Sequence, residues 1–136
     1  ASDITIELLT TDTEGSKKQA EVLQQQIQSV LGINITIKQV PYKDRLKMES
    51  ERDFELVFTG WAPDYSDPYT YLELQIGDAF YNYGGYNKDF NGNVVENEFD
   101  KWMEIAQTTT DKQERMDALF EAEKQLLAEC GHHNII

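Results

Sequence analysis

Residues 4–41 read ITIELLTTDTEGSKKQAEVLQQQIQSVLGINITIKQVP and carry the clearest periodic pattern in the chain. Apolar and polar residues alternate over residues 3–9, which predicts a strand with one buried face. Apolar residues then recur at helical spacing over residues 20–31, and Gly32 follows where a helix commonly ends in a left-handed cap. Alternation resumes over residues 33–37. Strand, helix and strand in this order predict a right-handed parallel crossover and an α/β fold.

The residues around these elements predict where the helix begins and which elements come next along the chain. Ser16, with Gln19 three residues later, matches a capping box and predicts the start of the helix. The charged stretch 43–51 predicts a short surface helix. Alternation over residues 54–58 predicts a third strand, which ends at Gly60.

The second half of the chain is less periodic. A short helix is predicted over residues 69–76, and an ordered loop rich in Tyr, Asn and Gly over residues 77–93. Apolar spacing over residues 95–106 predicts a further helix. Asp111 with Glu114 predicts the cap of a last helix.

Length and composition limit the organisation of the chain. At 136 residues, 40% of them hydrophobic, the chain suits one compact domain, and we assign residues 3–130 to a single α/β lobe and residues 131–136 to a tail of unclear origin. The single cysteine, Cys130, cannot form an internal disulfide, and the adjacent His132 and His133 do not have metal-site spacing. No apolar run is long enough to predict a membrane span or a secretion leader.

Net charge restricts the class of ligand. Twelve Lys and Arg residues against 25 Asp and Glu residues give a formal charge of -13. Such a chain repels nucleic acid and anionic membrane surfaces, because both are themselves negative. It attracts cations, including ligands that carry a free amine, although many proteins use net negative charge only to stay in solution.

The stretch GWAPDYSDPY, residues 60–69, is the best candidate for a ligand site because it follows the third strand, and ligands of open α/β sheets gather at the carboxyl ends of strands. Trp61 and Tyr65 offer flat amphipathic surfaces, while Asp64 and Asp67 offer carboxylates for a ligand amine. The residues alone leave an alternative open, in which Trp61 belongs to the core and both aspartates only fix turns.

The same stretch resembles the G-W-x-x-D-x-x-D-P motif of the extracytoplasmic oligopeptide- and dipeptide-binding proteins of ABC transporters. The resemblance covers roughly residues 3–129 and corresponds to only part of a family member. It implies a type II periplasmic-binding-protein-like lobe, with a mixed, mostly parallel sheet flanked by helices. Some members carry an arginine where this chain has Phe58, so any ligand contact made by that arginine is not expected here.

The resemblance also implies a function and the residues that perform it. Asp64 matches the aspartate that holds the N-terminal ammonium of a peptide, and Trp61 matches the tryptophan that lines the neighbouring side-chain pocket, to which we add Tyr65. The expected partners are a peptide, the remaining lobe of the same receptor and an ABC permease. The expected location is extracytoplasmic, either periplasmic or lipid-anchored.

A second pattern supports a different function. Asn87, Asp89, Asn91 and Glu98 nearly follow the spacing of an EF-hand calcium loop, with Gly92 at the turn. The alternative function is therefore a small standalone interaction or calcium-binding domain, with calcium as its cofactor. An Asn-Gly turn ahead of a capped helix explains the same residues without any metal.

The sequence gives little support for catalysis. No histidine lies near Asp64 or Asp67 in the sequence, no serine occupies a nucleophile elbow, and no glycine-rich phosphate loop is present. Asp64 and Asp67 resemble an acid and base pair only in being two carboxylates close in sequence. We therefore expect that the chain is not an enzyme and needs no cofactor.

Overall fold

The computed structural model describes residues 4–133, with side chains described as far as Glu129. The chain divides after Gly60 into two compact units, each with its own core. We refer to them as unit 1 (residues 4–60) and unit 2 (residues 61–133). The assignment of residues 3–130 to one lobe stays a prediction. The side chains of Cys130, His132 and His133 and residues 134–136 of the predicted tail lie outside this description, whereas the backbone of residues 131–133 continues the last helix.

Unit 1 is built on a parallel sheet. Its strands are β1 (Thr5–Thr11), β2 (Asn34–Val40) and β3 (Leu56–Val57), in the order β2-β1-β3. β1 pairs in parallel with both neighbours. Helix α1 (Glu14–Leu31) connects β1 to β2. The predicted strand, helix and parallel strand are therefore confirmed.

The two ends of α1 test the capping predictions. Gly32 adopts the left-handed conformation with φ 65°, and its N–H donates to the Gln28 carbonyl at 3.1 Å, as predicted. The assignment of Ser16 as the N-cap is wrong, because the helix begins one residue after Thr13. The Thr13 hydroxyl accepts the Ser16 N–H at 3.2 Å, so Ser16 already lies in the first turn.

One face of α1 packs on the sheet to form the core of unit 1, which combines branched aliphatic side chains of the strands with the apolar stripe of the helix. Its buried members and the half-buried residues around them are Leu8, Ala20, Ile35, Ile6, Leu23, Ile27, Ile33, Ile37, Leu56 and Phe58.

The third strand is shorter than predicted. The Glu55 carboxylate accepts the Glu7 N–H at 2.6 Å, and this side chain takes a donor that main-chain pairing with residue 54 would need. β3 pairs with Leu8 and Leu9 of β1, and the Phe58 N–H donates to the Leu9 carbonyl at 2.8 Å. The predicted strand over residues 54–58 is thus reduced to Leu56–Val57.

The charged helix is confirmed as α2 (Tyr42–Glu51), and two of its charged residues are buried. Arg45 and Glu49 form an ion pair inside unit 1, and the Arg45 guanidinium also donates to the Thr59 hydroxyl. A buried charge is tolerated when it is paired in this way. The sequence pattern had indicated only a surface helix.

Unit 2 is helical around a long loop. Helix α3 (Tyr69–Leu72) continues as a single 3-10 turn (Glu73–Gln75), which confirms the short helix predicted here. Helices α4 (Glu98–Thr108) and α5 (Lys112–His133) pack against each other. No helix of the part that is described is long and apolar enough to cross a membrane.

Side-chain caps set where the last two helices begin. The Asn97 carboxamide accepts the Asp100 N–H at 2.7 Å, so α4 begins at Glu98, three residues later than the apolar pattern predicts. Asp111 accepts the N–H of Glu114 at 2.9 Å, which confirms the predicted cap of α5.

The core of unit 2 joins α3, α4 and α5 to a tyrosine of the loop. Its buried members are Tyr69, Leu72, Tyr86, Phe99, Met103, Ala106, Ala118, Leu119 and Ala122. Between the 3-10 turn and α4 the chain forms the expected ordered loop, held at its start by the Gly77 N–H, which donates to the Asp100 carboxylate at 3.1 Å. A Cβ atom at residue 77 would lie 2.6 Å from Cγ1 of Val94 and 2.8 Å from Oδ2 of Asp100, so a larger residue would displace both side chains.

Candidate functional site

The candidate site is the motif turn, which we define as residues 61–70 of unit 2. Two prolines and a set of short hydrogen bonds shape it, with no regular structure before α3. The Asp67 N–H donates to the Tyr65 carbonyl at 3.0 Å, and Pro68 immediately precedes α3, where its missing N–H is tolerated.

Thr70 stabilises the motif turn through its side-chain hydroxyl. It is fully buried, and its hydroxyl oxygen accepts the Trp61 indole N–H at 3.5 Å and the Asp64 backbone N–H at 3.2 Å. One oxygen therefore holds two of the three residues that the sequence assigned to ligand binding, Trp61 and Asp64. Sequence reasoning missed Thr70, since a threonine at the start of a short helix carries no distinguishing signal.

Asp64 presents an available carboxylate. Its side chain is exposed, and among the described residues its carboxylate has no hydrogen-bond or ion-pair partner. Only its backbone is fixed, through Thr70. An unpaired carboxylate on a fixed backbone can accept charge-assisted hydrogen bonds from an ammonium group.

Asp67, three residues away, is fully engaged. Its carboxylate accepts the Tyr69 N–H at 2.9 Å and two hydrogen bonds from the Arg115 guanidinium, at 2.8 and 2.9 Å. The Arg115 hydrogen bonds, followed by that of Tyr69, lower the pKa of Asp67. The turn-fixing role considered for Asp67 is therefore confirmed, and Arg115 of α5 is a partner that the sequence could not indicate.

Tyr65 is anchored by its hydroxyl. The phenol donates to the Glu73 carboxylate at 2.8 Å, while the ring stays 45% exposed. Partial burial and this hydrogen bond raise the pKa of Tyr65 to about 12. The phenol thus stays neutral over the physiological range, and its ring is held in one orientation at the edge of the motif turn.

Trp61 is half-buried and contacts another aromatic ring. Its ring centroid lies 5.0 Å from that of Tyr81, with the planes inclined by 58°. Within residues 61–129, Trp61 is not a member of the buried core of unit 2. The alternative that Trp61 belongs to the core is therefore not supported, and Tyr81 is a neighbour that the non-periodic loop concealed.

In the second candidate site, the loop 87–98, the carboxylate of Asp89 is hydrogen-bonded by the loop itself. The Asp89 carboxylate accepts the N–H groups of Asn91 at 2.8 Å and Asn93 at 2.9 Å, and the bonds from Asn93 are the main cause of its lowered pKa. Asn87 is buried with φ 57°, and Glu98 begins α4 and pairs with Lys101 at 2.9 Å.

The ligand set predicted for calcium contains two acidic side chains, Asp89 and Glu98. Within residues 4–129, no group of three or more acidic, histidine or cysteine side chains is placed to hold a metal ion. The spacing that suggested calcium, with Asn87, Asp89, Asn91 and Glu98 as ligands, is thus accompanied by internal hydrogen bonds that suit an Asx turn. Calcium binding stays a prediction.

Comparison with known families identifies the class of protein. The model for "Bacterial extracellular solute-binding proteins, family 5 Middle" matches residues 2–83, which include all of unit 1 and the motif turn. The chain belongs to this family. The family assignment supports the binding-protein interpretation over the standalone calcium domain.

Individual relatives agree with the family. The chain is 30% identical to the dipeptide-binding protein of Lactococcus lactis subsp. cremoris, over 92% of this chain and 22% of that protein. It is 27% identical to the dipeptide-binding protein DppE of Bacillus subtilis, over 84% of this chain and 20% of that protein. The chain thus spans about a fifth of the length of these curated relatives.

Solved structures confirm the fold class. The peptide-binding protein of a peptide ABC transporter superposes with a TM-score of 0.79 at 34% identity, covering 94% of this chain and 54% of that one. The substrate-binding domain of an oligopeptide ABC transporter from Bacillus anthracis gives 0.81 at 34% identity, covering 94% of this chain and 24% of that one. The type II periplasmic-binding-protein-like fold is therefore confirmed.

Proposed function

We propose that this chain is the part of an ABC-transporter solute-binding protein that recognises the amino terminus of a peptide. Relatives and solved structures at 30–34% identity carry names that specify dipeptides, peptides or oligopeptides. The role is noncatalytic: the chain captures extracellular or periplasmic peptides for import.

The observation that carries this proposal is the unpaired carboxylate of Asp64. Its backbone shares the Thr70 hydroxyl with the indole of Trp61, so a charged group and an aromatic surface lie side by side. An ammonium group needs a carboxylate when it leaves water, because an uncompensated buried charge is very costly. A single aspartate in this position therefore demands a free amino terminus.

Net charge contributes to capture. A chain with formal charge -13 attracts the ammonium end of a peptide from solution, and this attraction raises the rate of encounter more than it raises the affinity. Peptide backbone, which all ligands share, is held by main-chain hydrogen bonds in the manner of an added strand, and this permits many sequences.

We infer further that the binding cleft is completed by parts of the polypeptide beyond this chain. The curated relatives are about five times as long as the region they share with it. In the intact receptor, meaning the whole polypeptide that contains this chain, a second lobe closes over the peptide and excludes water. An ABC permease then receives the cargo on the outer face of the membrane, where the receptor is periplasmic or lipid-anchored.

Asp64→Asn in the intact receptor tests the proposal. The substitution keeps the shape of the side chain and removes its charge, so peptide affinity measured by isothermal titration should fall at least about a hundredfold. Asp78→Asn is the matched control, because Asp78 is also an exposed aspartate of unit 2 and loses the same charge. It should bind peptide as tightly as the wild type does.

An N-acetylated peptide makes the test specific for the ammonium group. Acetylation should weaken binding to the wild type about as much as Asp64→Asn does, and should weaken binding to Asp64→Asn little further. If the two losses add instead, Asp64 and the peptide amine do not interact, and the assignment is wrong.

A further inference from the structure

Four aromatic rings of unit 2 form one connected surface, which we call the aromatic surface: Trp61, Phe80, Tyr81 and Tyr83. The ring centroids of Phe80 and Tyr81 lie 5.1 Å apart, and those of Tyr81 and Tyr83 lie 6.0 Å apart. Phe80 and Tyr83 are separated by 6.3 Å. With the Trp61–Tyr81 contact, each ring touches at least one other.

These rings lie outside the core of unit 2. Phe80 is 77% exposed and Tyr81 is 46% exposed, whereas the aromatic residues of the core, such as Tyr86 and Phe99, have no exposed area. A phenylalanine that keeps most of its surface in water gains little from folding. Phe90 is more exposed still, so what sets Phe80 apart is its contact with two tyrosines rather than its exposure.

The aromatic surface is continuous with the motif turn. Trp61 is a member of both, and the Thr70 hydroxyl links its indole to the backbone of Asp64. A peptide whose ammonium group meets Asp64 would therefore bring its first side chain close to these rings. This step rests on the function proposed above.

The geometry of the rings favours an aromatic side chain. Phe80 meets Tyr81 at 86° and Tyr83 at 69°, which are edge-to-face arrangements. A further ring extends such an arrangement, because an exposed edge or face of one ring attracts the complementary part of another. A lysine or arginine would have to keep its charge hydrated, which limits the contact it makes at a surface exposed to water.

We propose that the aromatic surface selects peptides whose first side chain is aromatic. Phe80 and Tyr81 are then specificity-determining residues, and Trp61 connects them to the amine-binding carboxylate. The ligand class is a peptide with a free amino terminus and Phe, Tyr or Trp in first position.

Phe80→Ala in the intact receptor tests this selectivity, with Phe-Ala-Ala and Ala-Ala-Ala as probes. The wild type should prefer Phe-Ala-Ala, and the substitution should reduce that preference about tenfold while affinity for Ala-Ala-Ala stays unchanged. Phe80→Leu keeps apolar volume without a ring and should lose a similar part of the preference. Tyr71→Ala is the matched control, since Tyr71 is 50% exposed and, among residues 4–129, makes no ring contact. It should leave both affinities unchanged.

Each other outcome overturns the inference. If Phe80→Leu preserves the preference, the surface is merely apolar, and if Arg-Ala-Ala is the peptide whose affinity falls, it selects cations. Unchanged selectivity with a lowered unfolding temperature would mean that another part of the receptor covers these rings. Binding of Ala-Ala-Ala with no role for Phe80 defeats this inference alone, whereas failure of the wild type to bind any peptide defeats the proposed function as well.

Discussion

The motif turn and the loop 87–98 are both acidic and largely irregular in structure, yet they use their aspartates differently. In the loop, Asp89 accepts hydrogen bonds from the backbone of Asn91 and Asn93, and its bonding capacity is used within a few residues. In the motif turn, Asp67 is engaged in the same way and by Arg115 as well. Of these three aspartates, Asp64 is the one whose carboxylate has no partner among the described residues.

This contrast distinguishes an aspartate that builds a turn from one that the turn presents. An unpaired carboxylate at the surface is common and by itself indicates nothing, since water solvates it well. What distinguishes Asp64 is that a buried hydroxyl fixes its backbone together with an indole. Exposure of the charge and rigidity of its support are both needed for recognition.

The largest effect we expect on stability is that of Asp67→Asn. It breaks the charge-assisted pair with Arg115, so the free energy of unfolding should fall by about 2 kcal/mol. Asp64→Asn, which removes no hydrogen bond seen in residues 4–129, should change it by less than about 0.5 kcal/mol. Urea unfolding of the two variants, followed by tryptophan fluorescence, measures the difference. Equal effects would erase the distinction between the two aspartates.

The dependence on pH is an internal control for this experiment. Because folding lowers the pKa of Asp67, its stabilising effect is complete above the ordinary carboxyl range, about pH 4, and is lost as pH falls through the folded-state value. The difference in unfolding free energy between the wild type and Asp67→Asn should therefore be constant near neutral pH and decrease below about pH 4. If this difference increased at acid pH, the result would contradict the ion pair assigned to Asp67 and Arg115.

A smaller loss of stability is expected from Thr70→Val. This substitution keeps the shape of the side chain and removes the hydrogen-bond acceptor for Trp61 and Asp64. Unfolding free energy should fall by about 1 kcal/mol, and peptide affinity of the intact receptor by about tenfold, because the two residues proposed to bind the peptide lose their common support.

Thr10→Val provides the matched control for this substitution. Thr10 is also fully buried, but its hydroxyl has no hydrogen-bond partner in the described part of the chain. Replacing it by a methyl group should leave stability unchanged or slightly raised, and should leave peptide affinity unchanged. A loss of affinity with Thr10→Val equal to that with Thr70→Val would show that any buried threonine matters as much.

The smallest effect is expected in the loop 87–98. Because Asp89 already accepts hydrogen bonds from its own loop, millimolar calcium should leave the unfolding temperature unchanged. Glu98→Gln, which removes the last residue of the calcium pattern, should behave as the wild type does with and without calcium. A calcium-dependent rise that Glu98→Gln abolishes would instead favour the metal-binding alternative.

The fold was predictable where periodicity was strong. The pattern of residues 4–41 contains β1, α1 and β2, because each element has one apolar face and Gly32 supplies a conformation that other residues avoid. The misplaced N-cap arose because Thr13 and Ser16 are chemically equivalent candidates, and only tertiary packing decides between them. The shortening of β3 depended on Glu55 meeting Glu7, a contact 48 residues apart that no local pattern encodes.

The motif of the candidate site was predictable from the sequence, whereas the residues that hold the motif in place were not. Trp61, Asp64 and Tyr65 stand out because prolines, aromatics and acids rarely occur together. The residues that position or contact them do not stand out in the sequence. Thr70 is an ordinary threonine, and Tyr81 lies in a loop without periodicity. Arg115 lies 48 residues from Asp67. Such partners are set by the folded chain, and a single sequence gives no signal of which residues will meet.

The tie between Gly77 and Asp100 has a consequence for selectivity. These two residues are 23 positions apart and close the base of the segment that carries Phe80, Tyr81, Tyr83 and the loop 87–98. Their hydrogen bond is a noncovalent cross-link, which limits the conformational entropy of residues 78–99 between them. If the aromatic surface selects the first side chain as proposed, a mutation at either end, remote from the rings, would loosen the whole segment and broaden the range of peptides bound without altering a residue of that surface.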